Sequence, residues 1–556
     1  MLPDKGVSVQ VFTALRAART IARQGRHLQE FCRGRVSMAW DEVGLTRALD
    51  LLAQRFKGPG GVAGVVKDGR VVARRVWGHA DMSAGLAMTA ATRLPICSIS
   101  KQFTVALLLD QVGDPATLDP WVADYLPAFQ APLPRVQHLA DNQSGLRDYW
   151  ALTVLHGAHP EQHFRREDAR PLLARMQTGH FPPGTSYSYC NANFRILGEM
   201  IERHSGRDLA GLLADRIFAP AGMRTAALLP DTRTNADGVV GYEGNDTVGF
   251  LPAQNGIWWA GDAGISASLD DMLAWECHID TTRDDPAALY NRLSPSPHFA
   301  DGSPATYGHG LSHAEVAGRA STGHGGGLRG FRSHRRHVAS ERLSVVVMLN
   351  HEADAHGAAF GLIEAALGVA PMAETPAPPD WQGLWLDPED GLILRTVPDT
   401  AGLRLDYATS PARLKVEADG VARGKGVSLE RRDGRLVMRR PDENRVVSAV
   451  PLVPSDAADV AGISGRYWSD ELQATLEIGG GDGAAHARFD GMLGHGPVER
   501  MYPEARDIWA IPTRRSMDAS PPGDWTVQVH REQGRVAGLT LGCWLARGIG
   551  YRKMDG

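Results

Sequence analysis

The residues best able to do chemistry stand in three short segments, far apart in the chain. The first is Pro95-Ile96-Cys97-Ser98-Ile99-Ser100-Lys101-Gln102-Phe103, with Ser98 and Lys101 three positions apart at the start of an apolar stretch. In a helix that spacing puts hydroxyl and amine on one face. A serine at a helix amino terminus has backbone N–H groups aimed where charge forms on its substrate. Lysine can take the hydroxyl proton only if burial lowers its pKa, and Ile99, Phe103, Val105, Leu107, Leu108 and Leu109 make these surroundings apolar. Among 59 basic residues only seven are lysines, and Lys101 is the only one between Lys67 and Lys415. Arginine cannot deprotonate, so a lone lysine here points to proton transfer. The plainer alternative is a lysine that lays its stem on apolar surface and keeps its amine in water.

The second segment is Phe181-Pro182-Pro183-Gly184-Thr185-Ser186-Tyr187-Ser188-Tyr189-Cys190-Asn191. Tyr189 and Asn191 are two apart in a loop and can point the same way. A phenol near an ammonium can relay protons, and an amide beside it can orient the amine. The alternative is a tyrosine-rich loop packed on the core. The third is Ser321-Thr322-Gly323-His324-Gly325-Gly326-Gly327-Leu328-Arg329-Gly330. Consecutive glycines at a strand start let a substrate backbone lie alongside, with Gly326 and Gly327 exposing N–H donors to an oxyanion. His324 adds a donor near a substrate carboxylate or leaving group. No Lys-Ser/Thr follows, so this is not a phosphate loop. In His351-Glu352-Ala353-Asp354-Ala355-His356 the histidines are five apart and share no helical face, so no metal is expected.

These segments need a frame. Leu45, Leu49, Leu52 and Phe56 fall at helical spacing. Residues 62–72 are two apolar runs around Asp68-Gly69, which predicts a hairpin. Helical stretches then alternate with loops to about Ser321; Leu343–Leu349 reads as a buried strand, and Phe360, Leu362, Ile363 and Leu367 mark a closing helix. The order predicts an α+β sandwich closed by its terminal helices, over 38–370. Pro371, Pro376, Pro378 and Pro379 mark a linker over 371–380. Beyond it, short alternating strands and turns predict two antiparallel β-barrels, 381–452 and 453–556. Arg431–Leu436 reads as a hairpin and Gly534–Leu541 as a strand pair, while Gly465-Arg466-Tyr467-Trp468-Ser469-Asp470 echoes Gly383-Leu384-Trp385-Leu386-Asp387.

Composition narrows the function. The 556 residues are 43% hydrophobic and 22% charged, with net charge −5, which are globular values that favour neither nucleic acid nor an anionic membrane. No apolar run approaches the roughly 20 residues that cross a bilayer. Cys32, Cys97, Cys190, Cys277 and Cys543 are too scattered for a disulfide scaffold. Residues 1–37 carry Lys5 and six arginines against Asp4 and Glu30 and lack an uninterrupted apolar core. They read as an extension outside the fold, with Met1 and Met38 as the alternative starts, on a cytoplasmic protein.

Taken together, Ser98-x-x-Lys101, Tyr189-x-Asn191 and His324-x-Gly326 resemble the penicillin-recognising serine hydrolases, which include class C β-lactamases, D,D-peptidases and related esterases. The resemblance is closer still to the bacterial D-stereospecific aminopeptidases, through residues 95–98, 142–150, 187–191 and 542–548. It implies a β-lactamase-like catalytic domain with two β-barrels, a homodimer without metal or cofactor, and small D-peptides or D-amino-acid amides as substrates. It also implies β-lactams as inhibitors. Ser98 would be the nucleophile, Lys101 with Tyr189 and Asn191 the proton carriers, and the Ser98 and Gly327 amides the oxyanion donors. His324 stands where D,D-peptidases use lysine. In this family an acidic residue on a loop of the last barrel binds the substrate ammonium. An ungapped alignment puts that loop at Leu493-Gly494-His495-Gly496-Pro497-Val498-Glu499-Arg500-Met501-Tyr502-Pro503, with Pro497 in the acidic position and Glu499 or Asp490 as substitutes.

Overall fold

The structure is a computed structural model that describes residues 40–370, 374–455, 459–481, 483–518 and 523–555. The extension over 1–37 lies outside the described residues. The catalytic domain is built on an eight-stranded antiparallel sheet, in the order 86–87, 70–81, 60–67, 343–349, 331–338, 319–328, 311–316 and 307–308. Gly60–Lys67 and Leu343–Leu349 pair at its centre and are buried on both faces, which is why they read as apolar runs without alternation. The hairpin between the first two strands turns on Asp68 (φ 51°) and Gly69 (φ 72°), the doubly positive geometry that Asp-Gly favours.

The helices Glu42–Asp50 and Ala355–Ala366 cover one face. Leu45, Leu49 and Leu52 pack there with Ala359, Leu362 and Ile363. The other face carries the helical layer, in which Ser100–Val112 is buried along most of its length and packs by Phe103 on Trp275 at 4.9 Å. A helix apolar on every side belongs in a core rather than at its surface.

The segment Gly383–Pro451 forms a closed eight-stranded antiparallel barrel. A second barrel follows, closed because Ala474–Gly481 pairs with both Gly465–Ser469 and Ala484–Gly491. The echoed motifs are the first strand of each barrel. Of Gly534–Leu541, all but Gly534 proves to be part of one strand, Arg535–Cys543, flanked on both sides; the turn lies just before it, at Gln533 (φ 49°) and Gly534 (φ 80°). The Gly538 inside the run is an interior strand residue rather than a turn. Among the described residues, no helix is long and apolar enough to cross a membrane.

Candidate active site

Ser98 sits in the single helical turn Cys97–Ile99 that leads into Ser100–Val112. The preceding residue, Cys97, has φ 52°, a conformation costly for a side-chain-bearing residue and common where a site fixes its backbone. Neighbouring strands hold the turn: Ile96 N–H donates to Ile265 O at 3.0 Å, and Leu94–Pro95 pairs with Ile265–Ala267. The glycines of the third segment have a specific reason to be there. A Cβ on Gly326 would come within 2.2 Å of Ile96 O, so only glycine lets Arg319–Leu328 lie against the Ser98 turn.

Lys101 Nζ is fully buried and makes three contacts: Ser98 Oγ at 2.9 Å, Asn191 Oδ1 at 2.7 Å and Asp262 O at 2.8 Å. Burial lowers its pKa to about 8, against opposing fields from Asp262 and Asp148. The lysine therefore does not snorkel. Tyr189 places its ring centroid 5.0 Å from Lys101 Nζ, and its phenol hydrogen-bonds Ser98. Burial pushes that phenol well above its ordinary pKa, so it stands as a neutral donor-acceptor rather than a tyrosinate.

Asn191 is held by Asp148, whose Oδ2 accepts from the Asn191 side-chain amide at 2.9 Å and its backbone N–H at 2.5 Å. The other oxygen of Asp148 caps the helix Tyr149–Leu155 through Trp150 N–H at 2.9 Å. The Asp262 carboxylate accepts from Tyr149 Oη at 2.8 Å and Trp150 Nε1 at 3.3 Å, which fixes the carbonyl that Lys101 uses. His324 is buried and neutral, its pKa lowered to about 3 by burial and by Lys101. Its Nδ1 lies 2.5 Å from Gly325 O, which can only accept, so the proton is on Nδ1 and Nε2 accepts from Tyr307 Oη at 2.9 Å. Tyr307 also meets the Tyr189 ring edge-on at 6.3 Å. Asp148, Asp262 and Tyr307 were not singled out from the sequence; only Asp148 carried a local signal, as an N-cap before an aromatic-apolar run.

The second barrel supplies the last group. The segment Leu493–Pro503 does touch the catalytic domain: Leu493 N–H donates to His156 O, Gln162 Nε2 to Leu493 O, and His159 Nε2 lies 2.8 Å from His495 O. Gly494–His495 and Glu499–Ala505 are strands there, Asp490 pairs with Arg488 and His495, and the charged group acting on Glu499 is Arg514. Pro497 and Glu499 line a narrow seam with Thr513, Arg515, Ser516 and Met517. The next segment, leaving Ile508–Pro512, brings a further carboxylate, Asp518, into electrostatic range of Lys101. Asp518 acts electrostatically on both Lys101 and Asp148, and burial with the Asp148 charge pushes its pKa up to about 7.

A helix-mounted serine and lysine, a tyrosine beside them and a glycine-rich strand define a serine hydrolase of the β-lactamase fold. Sequence comparison agrees: the Beta-lactamase family model matches residues 49–369, and that of D-aminopeptidase, domain B, matches 374–552. A D-aminopeptidase of Cereibacter sphaeroides is 60% identical over 518 residues, 93% of this chain and 100% of that protein. One of Brucella melitensis is 50% identical over 509 residues, 90% of this chain and 97% of that protein. The octameric penicillin-binding protein homologue of Pyrococcus abyssi superposes on 80% of this chain and 98% of its own, with TM-score 0.50 and 18% identity, a likeness of fold. The chain belongs to the D-aminopeptidase family.

Proposed function

We propose that the protein is a serine aminopeptidase that removes amino-terminal D-residues from short peptides, amides and esters through an acyl-enzyme on Ser98. The observation that carries this reading is the placement of Lys101 Nζ 2.9 Å from Ser98 Oγ, within the electrostatic reach of Asp518. Asn191 Oδ1 and Asp262 O take two directions of the amine, so in the neutral form its lone pair falls on Ser98 Oγ. Lys101 takes the hydroxyl proton as Oγ attacks the substrate carbonyl, and the oxyanion forms against the Ser98 and Gly327 amides. Tyr189 passes the proton to the departing amine, whose C–N bond breaks to leave the ester on Ser98. Water, activated by the same pair, then releases the free D-amino acid.

Asp518 holds the substrate ammonium, because a cationic end desolvated in this cleft needs an anionic partner. His324, neutral and bound to Tyr307, shapes the wall beside Tyr189 without offering a charge for a substrate carboxylate. The same reading takes the enzyme as a homodimer, testable by light scattering, with β-lactams acylating Ser98.

The test is release of p-nitroaniline from D-alanine and L-alanine p-nitroanilides. Preference for the D form, abolished in Ser98→Ala, supports the assignment. Ser98-dependent hydrolysis of a chromogenic β-lactam or an ester, with none of the D-anilide, would keep the nucleophile and overturn the substrate.

A further inference from the structure

The segment that delivers Asp518 is tied down by an ionic cluster with no part in proton transfer. Arg515, three residues before Asp518, sends Nη2 to Glu161 Oε1 at 2.5 Å and to Glu243 Oε2 at 2.8 Å. The same two carboxylates face Arg329, whose side chain is 3% exposed, with Nη1 at 3.1 Å from Glu161 and 3.9 Å from Glu243. Arg329 directly follows Arg319–Leu328, the strand of His324 and Gly327, and Glu243 lies on the hairpin Tyr242–Pro252. Arg515 thus pins the barrel segment to the end of the glycine-rich strand and to two loops of the catalytic domain at once.

A second anchor is apolar. Met517 is 2% exposed and faces the seam shared with Thr153, Val154, Phe489 and Pro497. Between the anchors Ser516 Oγ donates to Asp518 Oδ1 at 2.8 Å, which fixes the carboxylate rotamer. Planar and bidentate, a guanidinium can bridge two carboxylates in fixed geometry, whereas a methionine in a seam allows sliding. We propose that Arg515 is a positioning residue for amine recognition: its bridge between Glu161 and Glu243 sets how far Asp518 reaches toward Lys101, and so how strongly the site prefers a free amino terminus over a blocked one. The inference rests on the assignment of Asp518 as the ammonium-binding residue.

The experiment compares the full-length wild type, Arg515→Gln and Arg515→Lys on D-alanine p-nitroanilide and on an N-acetyl-D-alanine ester. Wild-type activity on the anilide that depends on Ser98 and Asp518 is the precondition; without it, the functional reading fails and the inference falls with it. With that activity in hand, Arg515→Gln is expected to raise KM for the anilide at least tenfold and leave kcat within about twofold. The ester, which reports an intact fold and nucleophile, is expected to keep or gain kcat/KM. Arg515→Lys, which retains the charge but not the bridge, is expected to fall between them. Equal losses on both substrates would make Arg515 a merely structural residue and overturn the proposal, as would an unchanged KM for the anilide. If Arg515→Gln loses its fold, the Arg515→Lys ratio of anilide to ester kcat/KM decides: a ratio unchanged from wild type overturns the inference.

Discussion

The two barrels share a strand count, an antiparallel closure and an echoed first strand, yet they meet the catalytic domain differently. The first braces the outside of the Tyr189 loop. Ser186 Oγ donates to Glu443 O at 2.5 Å, and Asn444 Nδ2 to Thr185 O at 3.1 Å and Asp301 Oδ2 at 3.0 Å. The second reaches beneath and into the site. Leu545 O accepts from the backbone N–H of Asp148, the residue that holds Asn191, and Glu471 pairs at 2.7 Å with the buried Arg147. It also carries Asp518, which acts electrostatically on Lys101. Similar folds thus serve different ends because function lies in the loops that face the partner and not in the strands that carry them.

The widest separation between the barrels is expected from Asp518→Asn. It should raise KM for D-alanine p-nitroanilide roughly 100-fold, since removing one partner of a buried charge pair costs about 2–5 kcal/mol. A blocked ester should be spared; loss on both would return Asp518 to a structural role. Next comes pH. The Asp518 carboxyl, raised to about 7, protonates as pH falls below that value and releases the ammonium, while Lys101, lowered to about 8, becomes a free base as pH rises. For the free-amine substrate kcat/KM should therefore fall on the acid side through both groups, and fall again above about pH 8 as the substrate amine loses its proton. The blocked ester should follow Lys101 alone. An identical acid limb near pH 7 for both substrates would remove Asp518 from recognition.

Acid should separate the catalytic domain from both barrels. His180 and His334 are held neutral well below their ordinary pKa by burial, and His324 and His337 are lowered to about 3 and about 4. A depressed folded pKa adds stability that is present above about pH 6.5 and lost as pH falls toward the folded value. The calorimetric transition of the catalytic domain should therefore move down between pH 7.5 and 5 ahead of the barrels; equal shifts would contradict the assignment. The smallest effect is expected from Asn444→Gly in the first barrel. It keeps the positive φ of 51° and removes two exposed hydrogen bonds, each worth about 1 kcal/mol or less, so both substrates should change by under about twofold. A selective loss on the anilide would mean that the first barrel also enters recognition.

Local chemistry alone determined a good part of this protein. Ser98 and Lys101 share a face because three positions make nearly one helical turn, and Asp68-Gly69 and Asp433-Gly434 turn their chains because both residues take positive φ, as their types allow. The lone lysine among arginines told of burial, since only an amine can be neutralised there. What tertiary structure decided was which distant groups meet that pair. Asp148 and Asp262 act on Lys101 from 47 and 161 positions away, Tyr307 hydrogen-bonds His324 from 17 positions away, and Arg147 bonds Arg547 O across 400 positions. No periodicity encodes such meetings. The proposed ammonium partner shows the difference: an ungapped alignment points to Leu493–Pro503, whereas Asp518 leads from the later connection between strands 508–512 and 524–532. At 11 residues that connection exceeds the roughly two to five usual between hairpin strands, the one local signal that could have drawn attention to Asp518. Only the docking of barrel against catalytic domain brings its carboxylate into electrostatic range of the lysine.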